Sequence, residues 1–161
     1  MRTIVFLTAA ALAAPALASP PPLPVAVTPV VTPDASDGLL DDGFALRTAL
    51  IGQQWFSDTP STLSAEDLRA CGLETDPEPC IRALTAPTRG ASAPEVVVVL
   101  TPEAGKVRLR CYGPGTDTRS VERQSVLIDL AAALATDPTR SREDRNAAAG
   151  CMISAAAESG W

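Results

Sequence analysis

The chain has 161 residues, 13 Lys plus Arg against 19 Asp plus Glu, four cysteines and no histidine. A net charge of −6 argues against binding nucleic acid or anionic lipid by bulk electrostatics. Without histidine there is no Ser-His-Asp or Cys-His centre and no imidazole ligand for zinc, copper or iron.

Met1-Arg2 is followed by an apolar run from Thr3 to Ala14 and then by Pro15-Ala16-Leu17-Ala18. This is the pattern of a secretory signal peptide, spanning residues 1–18, with cleavage expected after Ala18. The apolar run is too short to cross a bilayer, and no cysteine stands at the cleavage point to take a lipid. The mature chain would begin at Ser19 and hold 143 residues, enough for one domain with its own core. Cleavage removes only Arg2 among the charged residues, leaving 12 basic against 19 acidic groups and a net charge of −7. A periplasmic or secreted protein is expected, with no stable membrane insertion after cleavage. A single lysine, Lys106, beside twelve arginines and abundant Ala and Pro fits a GC-rich bacterial genome.

Ser19 to Gly38 reads as a Pro-rich linker. Pro20, Pro21, Pro22, Pro24, Pro29 and Pro33 oppose helix and favour extended polyproline II. Val25-Ala26-Val27 could add an edge strand, limited by Pro29. The folded domain is expected over residues 39–161.

A first helix is expected from Leu39 to Ile51, with Leu39, Gly43, Leu46 and Leu50 on one stripe, Asp37 as cap and Gly52 as stop. Trp55 and Phe56 follow in a loop as a core plug. Ser64-Ala65-Glu66-Asp67 has capping-box spacing and starts a second helix that ends at Gly72. Asp76-Pro77-Glu78 starts a short third one through Cys80, Ile81 and Leu84.

Glu95 to Leu100 is the clearest strand. Its Val96-Val97-Val98-Val99-Leu100 run does not alternate, so both faces must be covered, and Val97 and Val98 should both be buried. Thr101 to Gly105 is turn chemistry, and Lys106 to Tyr112 alternates as a half-exposed strand. The two strands form an antiparallel hairpin. After Gly113-Pro114-Gly115 the spacing predicts a long helix from Arg119 to Ala135. A last helix is expected from Arg142 to Glu158, capped by Ser141 and Asp144, with Ala148, Cys151, Met152 and Ala155 on its buried stripe.

The fold class expected is α+β: a helix-rich small domain with an antiparallel hairpin packed by helices, a third strand being one way to cover the valine run. Over Leu68–Leu84 and Val96–Cys111 this order resembles the N-terminal α/β domain of TolB-like envelope proteins. Those residues carry nothing diagnostic of that family, and the cysteines and C-terminal helices lie outside its pattern, so no function is carried over.

In an exported chain four cysteines most often form two disulfides, and of three connectivities Cys71–Cys80 and Cys111–Cys151 fit the elements best. No C-x-x-C redox or zinc spacing is present. Lys106 lies at the start of a solvent-facing strand row without an S-x-x-K pattern, an ordinary surface charge. Neither a Walker A loop nor G-x-G-x-x-G occurs. Gly113, Gly115 and Arg119 lie between strand and helix, and with Arg108 and Arg110 they form a candidate contact for an anion or partner. Asp117 opposes an anion there, and Glu95, Glu122, Asp129, Glu143 or Asp144 could neutralise the arginines.

No catalytic residue, metal or cofactor is assigned. The expectation is a non-catalytic envelope protein with a binding or structural role. Its partner would be another envelope protein, or a second copy joined through the Val96–Leu100 strand. The alternatives are an enzyme of unrecognised type using carboxylates or Lys106, and a secreted inhibitor.

Overall fold

A computed structural model describes residues 21–73, 76–86, 93–114 and 124–157. Residues 1–18, expected as a signal peptide, and Gly115 and Arg119 lie outside these residues. Among them the elements run β1 (Leu23–Val31), α1 (Asp37–Gly52), β2 (Phe56–Asp58), α2 (Ala65–Ala70), α3 (Glu78–Thr85), β3 (Glu95–Glu103), β4 (Lys106–Tyr112), β5 (Ser125–Ile128), α4 (Leu130–Ala133) and α5 (Pro138–Ala157). The strands form one mixed sheet in the order β2-β1-β3-β4-β5. β1 is parallel to both β2 and β3, while β3-β4 and β4-β5 are antiparallel. The sheet is thus larger than a hairpin with one added strand, in a domain that mixes helices and strands.

The largest correction concerns the N-terminal segment. Leu23–Val31 is an inner strand, not a spacer. Its prolines fit because of where the partners begin and end. The amides of Ala26 and Thr32 donate to Pro94 and Leu100 carbonyls, so even-numbered residues face β3 and odd-numbered ones face β2. β2 pairs only with Leu23–Val25, so the missing N–H of Pro29 points where β2 has already ended. Pro24 faces the β3 side before β3 starts opposite Ala26. Neither proline deletes a ladder bond, which is the usual objection to proline in a sheet.

Apolar residues of alternate parity cover the two faces. Val25, Val27, Val96, Val98, Leu100, Leu109, Cys111 and Ile128 pack with Leu39, Leu46 and Leu50 of α1 and with Ala148, Met152 and Ala155 of α5. Val97, Val99 and Tyr112 pack on the other face with Leu68, Leu73 and Ile81 around α2 and α3. Val97 and Val98 are both buried, at 0% and 1% exposure. β3 is bonded along both edges and covered on both faces within one chain.

Helix α1 keeps the expected stripe of Leu39, Gly43, Leu46 and Leu50, although its N-cap is Ser36 and not Asp37. Gly43 allows close seating: a Cβ there would meet Pro29 Cβ at 3.1 Å and Leu100 Cδ2 at 3.3 Å. The aromatic pair divides, with Phe56 2% exposed in β2 and Trp55 36% exposed. The capping box of Ser64 and Asp67 forms as expected.

The β3-β4 turn is only Ala104-Gly105, both at positive φ (48° and 80°), as two-residue hairpins require. Thr101 to Glu103 therefore belongs to the strand rather than the turn.

The helix expected over Arg119–Ala135 is replaced, in its described part, by β5 and the short α4. Val126 and Ile128 alternate with Ser125 and Leu127, a strand period that a window fitted to helical spacing hides. Asp129 ends β5 by capping α4, its Oδ1 accepting from Ala132 N at 2.9 Å. Helix α5 starts earlier than expected. Asp137 Oδ1 accepts from Thr139 N at 2.8 Å and Pro138 takes the first helical position. Ser141, expected as the cap, is fully buried inside the helix. Asp144 accepts from Asp129 N at 2.9 Å, so it ties two elements together instead of capping one.

Both disulfides have the expected connectivity, Cys71–Cys80 and Cys111–Cys151, with Cα separations of 5.3 and 5.9 Å. The first joins α2 to α3, and the second fastens the middle of the sheet to α5.

Candidate functional site

The topology places the site. From β1 the chain passes through α1 to β2 on one side; it then crosses back through α2 and α3 to β3 on the other. At the carboxyl ends of these two parallel strands the chain thus leaves β1 through α1 toward β2, and leaves β3 through the Ala104-Gly105 turn toward β4 on the opposite side. In open α/β sheets a crevice forms at such a switch point, because the connecting segments splay apart there.

The crevice is present. A cleft of about 620 Å³ is lined by Val31, Thr32, Pro33, Ala35, Ser36, Leu40, Arg69, Gly72 and Leu73. It lies between the β1-α1 junction and the end of α2. A second hollow of about 360 Å³ is lined by Thr32, Asp34, Thr101 and Arg110. Thr32 is common to both walls, so the two are adjoining compartments. The larger has mainly apolar side chains, and the smaller carries two hydroxyls, a carboxylate and a guanidinium. Apolar walls with few convergent polar groups characterise small-ligand sites.

The strand register accounts for the polar compartment. Val31 pairs with Leu100, Val99 with Arg110 and Thr101 with Arg108. Thr32, one residue beyond β1, donates its amide to Leu100 O at 3.2 Å and so sits beside Thr101. The two threonines have the same side-chain parity as Val97 and Val99, which places them on the face that α2 and α3 cover. Arg110 shares that face from β4.

The hydroxyls of Thr32 and Thr101 are both buried without a hydrogen-bond partner, and Thr32 as a whole is 5% exposed. A buried hydroxyl with no partner costs about 1–3 kcal/mol. Two such hydroxyls on neighbouring residues that line a cleft are a cost that a polar partner would offset.

Two residues along β4 from Arg110 on the same face, burial pushes the Tyr112 phenol above its ordinary value. The Arg110 guanidinium partly opposes the shift through its charge and a hydrogen bond.

The arginine row therefore divides. Arg110 lines the cleft, whereas Arg108 is held by Glu103 through Nε and NH2 and reaches Ser125 Oγ at 3.3 Å. That pairing holds the Glu103 carboxyl below its usual range and the Arg108 guanidinium above its own, in each case chiefly through the hydrogen bond. The neutralising partner of Arg108 is thus Glu103, which was not among the acids expected. Glu95 instead holds the β2-α2 loop, accepting from Ser61 Oγ, Thr62 N and Thr62 Oγ1 at 2.8, 2.6 and 2.9 Å. Gly113 has a packing role: a Cβ there would lie 2.1 Å from Ala155 O of α5. The remainder of the expected anion loop, Gly115 and Arg119, lies outside the described residues.

The chain matches no protein-family model, no curated protein and no solved structure.

Among the described residues no three Cys, Asp or Glu side chains gather as a cation site, and no helix is long and apolar enough to cross a membrane. Sequence reasoning found Arg110 but missed Thr32, Asp34 and Thr101. The missing signal was β1: with Leu23–Val31 read as spacer, Thr32 had no neighbour, and Thr101 was assigned to a turn.

Proposed function

We propose that this chain is an exported, non-catalytic binding protein of the cell envelope, periplasmic or secreted, that takes its ligand at the carboxyl ends of β1 and β3. The observation that carries the binding role is the pair of unpartnered buried hydroxyls, Thr32 and Thr101, lining a crevice at the switch point. Two disulfides support an oxidising compartment, and the leader-like residues 1–18 support export. Neither bridge borders the polar compartment, so the cystines act as staples around the site and not as part of it.

The test has two parts. Intact mass of protein recovered from the periplasm or medium of its native host should correspond to a chain starting at Ser19 with all four cysteines oxidised. Full-length or reduced protein would contradict export. A thermal-shift screen of small polar metabolites on that mature chain should find stabilising compounds whose effect is lost in Arg110→Gln. Saturation of an envelope protein with no small-molecule response would move the role to protein docking.

A further inference from the structure

We infer that the cleft is built for a small carboxylic acid that carries an N–H or O–H donor on its α-carbon and an apolar side chain, as an apolar amino acid does. This deepens the binding role proposed above and rests on it. Three features point to that chemistry.

The polar compartment pairs one guanidinium, Arg110, with two hydroxyls that lack partners. A carboxylate offers two oxygens with several acceptor positions, enough to take the guanidinium and both threonines together. Both hydroxyl oxygens are buried, so a carboxylate engages them through a side-chain rotation of Thr32 and Thr101 that turns each Oγ1 toward the cleft.

Asp34 lines the same compartment. A carboxylate there repels a phosphate dianion but receives a donor placed one bond away from the ligand's own carboxylate. An ammonium, amide N–H or hydroxyl on the α-carbon meets that requirement.

The adjoining compartment supplies Val31, Pro33, Leu40 and Leu73. Its lining is mainly apolar, and Thr32 forms the wall between the two spaces. A ligand whose carboxylate and side chain diverge from one carbon can fill both.

The mature oxidised chain would be titrated by calorimetry with L-leucine, 4-methylpentanoate, L-leucinamide, the dipeptide Gly-Leu and inorganic phosphate. Leucine or Gly-Leu should bind most tightly; the stronger of the two distinguishes a free amino acid from a peptide terminus. Losing the α-donor in 4-methylpentanoate, or the carboxylate charge in leucinamide, should weaken binding at least about tenfold. Thr32→Val keeps shape and removes one hydroxyl. It should lower leucine affinity about tenfold while leaving the melting temperature unchanged or raised, since an orphaned hydroxyl is gone. Arg110→Gln should abolish measurable binding in a folded protein.

Leucinamide or phosphate binding as tightly as leucine would overturn the inference, as would full affinity in Thr32→Val. No heat with leucine or Gly-Leu at millimolar concentration would also overturn it. In that case, amide-shift changes at Thr32 and Thr101 with other metabolites would leave the binding role standing, and none with any compound would remove both.

Discussion

Removing the Cys111–Cys151 bridge is expected to cost more stability than removing Cys71–Cys80, by an amount set by loop length. The bridges close loops of 40 and 9 residues. In the chain-entropy treatment these correspond to about 3.9 and about 2.6 kcal/mol at 25 °C, a difference of about 1.3 kcal/mol. Burial widens the gap. Cys111 and Cys151 are 1% and 3% exposed and sit in the core between the sheet and α5, so truncating them to Ala also empties space there. Cys71 is 8% exposed and Cys80 only partly buried, so less packing is lost. Against a typical domain stability of about 5–15 kcal/mol the longer bridge is a large share. The assay is urea unfolding of the oxidised wild type, Cys71→Ala/Cys80→Ala, and Cys111→Ala/Cys151→Ala, followed by circular dichroism. The slope should rise in both variants, because an uncrosslinked chain exposes more surface when unfolded. Equal losses, or a larger loss from the shorter loop, would refute the reasoning that these cystines act chiefly on the unfolded chain.

Val97→Asp and Val98→Asp should each destabilise by at least about 3 kcal/mol, since each places an unpaired charge in a covered apolar layer; thermal unfolding and sedimentation of both variants check this, and a wild-type melting point in either would mean one face is open. Ala104→Asn should stabilise by about 1 kcal/mol, because Ala104 holds φ 48° in the turn before Gly105 and Asn-Gly suits that geometry; an unchanged denaturation midpoint would contradict it. Tyr112 is the sole tyrosine, so absorbance near 295 nm reports it alone. Its folded value is raised, mainly by burial. The stability it contributes is therefore fully present below the unfolded tyrosine value near 10 and is lost as pH rises through the folded value. Tyr112→Phe should remove that alkaline loss, and a transition at or below the ordinary value would contradict the burial argument.

Much of the domain was legible where residue chemistry is local. The capping box at Ser64, the uncapped valine run and the alternation from Lys106 to Tyr112 each have one reading, and the stripes Leu39–Leu50 and Ala148–Ala155 follow helical spacing. The cystine pairs followed because Cys111 and Cys151 stand on inward faces of their elements. What was not legible depends on partners. Pro29 looks forbidding to a strand until β2 is seen to end before reaching it. Val126 to Ile128 is strand only because β4 presents Val107 to Arg110 alongside. The cleft inherited the first difficulty: Thr32, Asp34 and Thr101 meet only when β1 and β3 lie side by side.

The most direct test of the central claim is an amide chemical-shift titration of the mature, oxidised chain with a panel of small α-amino and α-hydroxy acids. The account predicts that saturable shifts cluster at Thr32, Asp34, Thr101 and Arg110, with weaker ones at Leu40 and Leu73, and that Arg110→Gln loses them. Saturable shifts centred elsewhere, for example around Leu23 and Trp55 at the β2 edge, would contradict it.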